Sequence, residues 1–306
     1  MNHATAAQVI RRVVAALVLV LSVSTAAFTL ARLAPGDETT ADVMEGVDAE
    51  TIARKRERLG LDRPFPVQLA HFTWDLLRLD LGESASYDRP VAALVAERGA
   101  NTARLAFAAL LLATLVGLPL GVVTGAYAGT WVARLLSTVS IAVLACPPLV
   151  AVLALLYIAA TTGWMSVATG DLLVPSLALG LPVAATLERL QSQATQDAMA
   201  SPDLLAAAAR GIPPLRLVWV HAARQSLRPV LGVYGIVIGS LFSGSMAVEF
   251  ATSWPGLGRL MLDAVQFSDV RLVAGCVFAG GICLAVGNLV ADGLRTLVDP
   301  RVRDLV

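Results

Sequence analysis

Six apolar runs, at 12–33, 103–127, 135–160, 172–187, 230–251 and 272–297, leave this chain few folds to choose from. A helix crosses the hydrocarbon core of a bilayer in about 20 apolar residues. Within that core every backbone N–H and C=O has to find a partner inside the protein, so spans are built as helices or closed barrels. Runs of this length and spacing specify helices. Composition agrees: 57% of residues are hydrophobic and 15% charged, against roughly a quarter charged in soluble domains. The expected fold class is therefore all-α, a polytopic membrane protein with six transmembrane helices. The fourth run is short, carries Pro175 and Pro182, and is expected to borrow residues from 162–171. Cys146, Cys276 and Cys283 all fall in apolar stretches and read as small core residues, with no spacing for a metal site.

Arginine placement sets the expected orientation. Arg11 and Arg12 precede the first run, and Arg134 lies between the second and third. Arg189, Arg210, Arg216, Arg224 and Arg228 lie between the fourth and fifth, and Arg301 and Arg303 in the tail. With six spans all of these share one side, expected to be the cytoplasm, with both termini there. Residues 34–100 then lie on the exported side. They carry thirteen Asp/Glu against eight Lys/Arg, a length at which charge weighs little in the rule. Run 12–33 is longer than a signal-peptide core and is expected to be retained as a span. In 34–100, Asp48 can cap a helix over 49–59 that stops at Gly60. Val67 to Leu81 places Phe72, Leu76 and Leu79 at helical spacing. Small helices lying on the outer membrane surface fit this stretch.

Residues 188–229 form a long, basic, polar segment between two apolar runs. At its centre Leu204 to Ile212 reads as a short alanine-rich helix ending on Gly211. Small side chains permit close approach, so this element suits insertion into a groove on a soluble partner. An ordinary amphipathic cytoplasmic loop accounts for the same residues equally well.

Further motifs occur in order. Arg32-Leu33-Ala34-Pro35-Gly36-Asp37 follows the first run, and Leu59-Gly60-Leu61-Asp62-Arg63-Pro64, Val67-Gln68 and Asp80-Leu81-Gly82 follow that. Ala206 to Gly211 precedes His221-Ala222 and Pro229. Glu249 precedes Trp254-Pro255-Gly256-Leu257-Gly258, and Asn288-Leu289, Asp292 and Asp299-Pro300-Arg301-Val302-Arg303 close the chain. Taken together, and over essentially the whole length, the chain resembles the B-type membrane permease subunit of ABC importers for dipeptides, oligopeptides and nickel, of the type I permease-like fold.

That resemblance implies a division into an N-terminal span (1–33), an exported loop (34–100), a five-helix permease core (101–299) that includes the coupling loop 188–229, and a tail (300–306). It implies an inner-membrane subunit forming the translocation path for peptides, nickel or related small solutes by alternating access. Its partners would be a second homologous permease, one or two kinds of ABC ATPase subunit, an extracytoplasmic solute-binding protein and the lipid bilayer, with no nucleic acid and no cofactor. Asp203, Leu204, Leu205, Ala206, Ala207, Arg210, Gly211, Ile212 and His221 are its expected ATPase-coupling residues. Leu205 stands where the family's "EAA" motif has its glutamate.

Glu249, Trp254, Pro255, Gly256, Asn288 and Asp292 are candidates for the translocation path or its gate. Each also has a plainer reading. Pro255-Gly256 makes a turn and Trp254 suits a membrane interface. Glu249 is an acidic group near a span end, in a cavity or hydrogen-bonded at the interface. Asn288 and Asp292, four apart on a helix, share a face.

Catalysis finds no support. His3, His71 and His221 all lie outside the apolar runs, which denies an intramembrane serine–histidine pair, and no phosphate-binding Gly-x-x-x-x-Gly-Lys loop occurs. ATP hydrolysis has to come from a partner. The alternative is a secondary transporter or another polytopic membrane protein not driven by ATP; secondary transporters place charges near the bilayer midplane, and the apolar runs hold almost none.

Overall fold

A computed structural model describes residues 3–34, 36–40, 43, 46–163 and 171–298, with 3–10 and 290–298 as backbone alone. The described residues form helices with no strand longer than the single bridge Glu83–Pro90. Among the described residues five helices are long and apolar enough to span: Arg11–Leu33, Val91–Ala126, Leu173–Met199, Tyr234–Ala251 and Val270–Leu289. A sixth crossing is available if Trp131–Ala145 and Pro148–Thr162 serve as one broken span, bent by 107°.

That break corrects the expectation of one continuous helix over 135–160. Cys146 precedes a proline and is pushed out of the helical region, to φ −80 and ψ 122. Pro147 and Pro148 then supply no N–H to close the turn. The fourth span is also corrected. Its helix starts at Leu173 and takes its extra length on the other side, running to Met199, so 188–199 is helix rather than loop. The second span likewise begins at Val91, inside the stretch read as loop, and its 36 residues extend roughly 54 Å, well beyond the hydrocarbon core. Residues 164–170, Pro35 and the closing 299–306 motif lie outside the described residues.

The chain divides into two compact units. One comprises residues 1–102 and 255–285. Its core joins Val20 and Phe28 of the first span to Phe72, Leu76, Leu81, Val91 and Leu94, and to Leu260, Leu272 and Cys276. Helix Ala49–Leu59 has its expected ends: Asp48 accepts from the Glu50 N–H, and Gly60 sits at φ +70. The next helix is Phe65–Leu77. It buries Phe72 and Leu76, but Leu79 falls beyond its end at φ +61 and is exposed, so it leaves the expected apolar series. Asp269, fully buried, accepts from the Ser84 hydroxyl at 2.6 Å, the Ser86 N–H at 3.1 Å and the Leu272 N–H at 3.0 Å. It thereby ties the segment after the first span to the start of the last helix.

The other unit comprises 103–254 and 286–306. Here the second and fourth spans touch along Gly117, Gly121 and Gly125. A Cβ on any of them would come within 2.4–2.5 Å of the facing helix, so the small-residue stripe sets how closely the spans approach.

Candidate functional site

The central polar segment is helical almost throughout. Ser201 caps the helix Pro202–Ala209, its hydroxyl accepting from the Leu204 N–H, and Pro202 fills the first turn, where no N–H acceptor exists. At the other end the Gly211 N–H reaches the Ala208 carbonyl at 2.9 Å and the Ile212 N–H the Ala207 carbonyl at 3.4 Å. This closing pattern needs a left-handed residue, and Gly211 lies at φ +81. A single turn, Pro214–Arg216, leads into a π-helical stretch, Leu217–Ala222, and then helix Ala223–Leu231. His221 lies half-buried in the π-helical turn, a widened geometry that recurs at functional sites.

The short helix has two faces with different duties. Leu204 (5% exposed) and Ala207 pack on Leu217 and Ala222, with Ile212 at the edge. Leu205 is 60% exposed, and Asp203, Ala206, Arg210 and Gly211 are exposed beside it. Leu204 and Ala207, expected to meet a partner, therefore serve the segment's own small core. Their place on an outward surface is taken by residues that sequence reasoning passed over: Leu215, Trp219 and Val220, large apolar side chains all exposed. Composition carried that signal, since three large apolar residues sit in an arginine-rich segment, but outward orientation is not readable from spacing in a π-helical turn.

This segment is held to the spans through a buried polar knot. The Gln191 amide donates to the Ser226 hydroxyl at 2.6 Å, Thr195 and Ser226 hydroxyls meet at 3.2 Å, and Ser226 donates to the Ala223 carbonyl at 3.1 Å. One helical turn earlier, Glu188 accepts from Thr124 of the second span at 2.5 Å. Val218 and Ala223 add apolar contact with Val122. Packed and hydrogen-bonded contacts thus join the short helix, through the π-helical turn, to the second and fourth spans.

The candidate path residues are dispersed. Glu249 is fully buried on Tyr234–Ala251. Trp254 is buried too, in a cluster with Leu105, Leu241 and Val248, so its ring packs on protein. The turn after that helix is made by Ser253 at φ +55. The Ser253 N–H reaches the Phe250 carbonyl and the Trp254 N–H the Glu249 carbonyl. Gly256 is extended at φ −100 and ψ −174, so it is not the tight-turn residue expected. In the first unit, the Asn101 amide donates to the Pro255 carbonyl at 2.9 Å and the Leu257 N–H to the Thr102 hydroxyl at 2.7 Å. These contacts explain the motif as architecture. Asn288 is exposed, and the Asp292 side chain lies outside the described residues. Among the described residues no group of three or more His, Cys, Asp or Glu could hold a metal ion.

Residues 117–304 match the family model for a binding-protein-dependent transport system inner membrane component, and residues 6–99 the N-terminal model of the same membrane components. The chain is 30% identical over 300 residues to the glutathione transport system permease protein GsiC of Salmonella typhimurium, covering 96% of this chain and 98% of that one. It is 31% identical over 310 residues to a Brucella abortus protein provisionally named a peptide transport system permease, covering 97% and 99%. With a match along nearly its whole length, the chain belongs to the binding-protein-dependent transport system inner membrane component family: it is a non-catalytic, multi-pass permease subunit of the inner membrane.

Proposed function

We propose that this permease moves peptides or similarly sized solutes by alternating access, and that separate ATPase subunits drive it through the Pro202–Ala209 helix and the π-helical turn behind it. The observation that carries this reading is the inverted leucine pair. Leu204 stabilises the segment from within, while Leu205, with Leu215 and Trp219, is presented outward beside Arg210. Large apolar side chains in an arginine-rich segment gain nothing from water. Buried in a partner's groove, each contributes roughly 1.5–3 kcal/mol. In this reading the segment and both termini are cytoplasmic. A second permease completes the path, and a solute-binding protein delivers solute from the side of residues 34–90. Glutathione and peptide systems, for which the relatives are named, indicate the solute class.

The test is co-purification and uptake with a Leu215→Glu, Trp219→Glu double variant. Membrane insertion should be normal, and both ATPase retention and ATP-dependent uptake in vesicles should be lost. Retention and uptake at wild-type levels would remove the segment from the coupling pathway. Uptake sustained by an ion gradient without ATP would return the chain to the secondary-transporter reading.

A further inference from the structure

The helix Phe65–Leu77 is apolar on two faces. One carries Leu69, Phe72 and Leu76 and belongs to the first unit's core. Opposite it, Val67, Ala70, Trp74 and Leu77 recur at three- and four-residue spacing and so form one stripe. Trp74 is 55% exposed and Leu77 58%, and Leu79, just past the helix end, is 71% exposed. A run of apolar side chains presented outward marks an interaction surface rather than a soluble face.

Two contacts set its place. The Phe72 ring stacks on Phe28 with centroids 4.2 Å apart and planes 10° apart, and the Arg32 guanidinium donates to the Gln68 side-chain carbonyl at 2.8 Å. Phe28 and Arg32 occupy the last turns of the first span, Arg11–Leu33, so the helix packs against the end of that span. The outward stripe has the chemistry of a bilayer's headgroup–acyl boundary. The Arg78 guanidinium lies 4.6 Å from the Trp74 ring centroid. An amphipathic aromatic paired with a long cation suits a site that is apolar on one side and anionic on the other. Arg63, exposed, donates to His71 Nε2 at 3.1 Å.

We propose that Val67, Ala70, Trp74, Leu77 and Leu79 are embedded in the bilayer's headgroup–acyl boundary at the Leu33 end of the first span, with Arg78 on lipid phosphate. The segment between the first two spans is then held by lipid as well as by its own core. This face is independent of the coupling segment and of the transported solute.

The experiment places nitroxide labels at 74, 77 and the exposed control Glu57, in the full chain with its cysteines replaced by alanine. The chain is reconstituted in nanodiscs of phosphatidylethanolamine and phosphatidylglycerol. Oxygen should relax the labels at 74 and 77 more than a water-soluble nickel chelate does, with the order reversed at 57. Chelate dominance at 74 and 77 would mean water, and shielding from both reagents would mean a protein cover; either overturns the proposal. A second measurement keeps the native cysteines: the emission difference between wild type and Trp74→Phe should be quenched by lipids brominated near the headgroup end of the acyl chain. No quenching overturns it equally.

Discussion

Among the described residues, four non-glycine residues take a left-handed conformation: Leu79, Asp88, Ser253 and Ser268. Three of them end helices that a sequence reading punctuates only at glycine. Left-handed φ costs an L-residue roughly 1–2 kcal/mol, so Ser253→Gly should stabilise the chain, by less than that because glycine also loosens the unfolded state. A lowered melting temperature in detergent would show that the Ser253 side chain contributes more than its strain. Gly211 and Gly121 differ in kind. Gly211 has no atom within 4 Å of a built Cβ but lies at φ +81. Gly211→Ala should therefore weaken only the end of the short helix, by about 1–2 kcal/mol, read as faster amide exchange at 211–212. Gly121→Ala would place its Cβ 2.5 Å from the Gln191 Cβ and 2.6 Å from the Glu188 carbonyl. It should lower global stability by about 1–3 kcal/mol. Asp37 supplies a pH test. Burial raises its pKa, but hydrogen bonds from Thr39 and the charges of Arg56 and Arg32 outweigh that, leaving it below the ordinary 3.8. A carboxylate depressed in the folded state contributes stability that is present above its unfolded value and lost as pH falls through the folded one. The stability gap between wild type and Asp37→Asn should hold from neutral pH down to that range and then close. A gap that widens on acidification contradicts the assignment.

Among the elements, the short helix separates two functions that its sequence runs together. Leu204→Ala empties a place in the core it shares with Leu217 and Ala222, at a cost of about 2–5 kcal/mol. It should unfold the segment locally, raising amide exchange across 202–222. Leu205→Glu leaves that core intact and should change partner affinity with exchange unaltered. Equal exchange in both variants would contradict the two-faced reading. The broken span owes its bend to two adjacent prolines. Restoring their N–H groups with Pro147→Ala, Pro148→Ala should lengthen the distance between spin labels at Val139 and Ile158, and an unchanged distance would assign the 107° bend to tertiary packing instead.

For the whole molecule, topology decides which side of the membrane the basic segment occupies. Arginine placement puts 34–90 on one side and 188–229 on the other, provided the bent pair crosses the membrane once. An impermeant thiol reagent applied to intact cells should label a cysteine at exposed Glu57 and spare one at exposed Gln196. Ser84 is buried against Asp269, so a cysteine there would report nothing. Labelling at Gln196 would make the bent pair a re-entrant loop and withdraw the coupling role.

Hydropathy and punctuation by Gly211, Asp48 and Gly60 were readable along the chain, because each acts through the length or backbone freedom of a local run. The apolar run at 135–160 also contains Pro147 and Pro148, yet hydropathy alone treats it as one helix. Buried polar residues misled for a related reason. Glu188, Gln191 and Thr195 look like the start of a solvated loop, and only packing against Thr124 and Ser226 makes them interior. The same holds for the adjacent leucines 204 and 205. They are identical in composition and pattern, and which one faces inward depends on where Leu217 and Ala222 lie. Burial is a property of the surface that meets a side chain, and a sequence specifies that surface only through the folded chain.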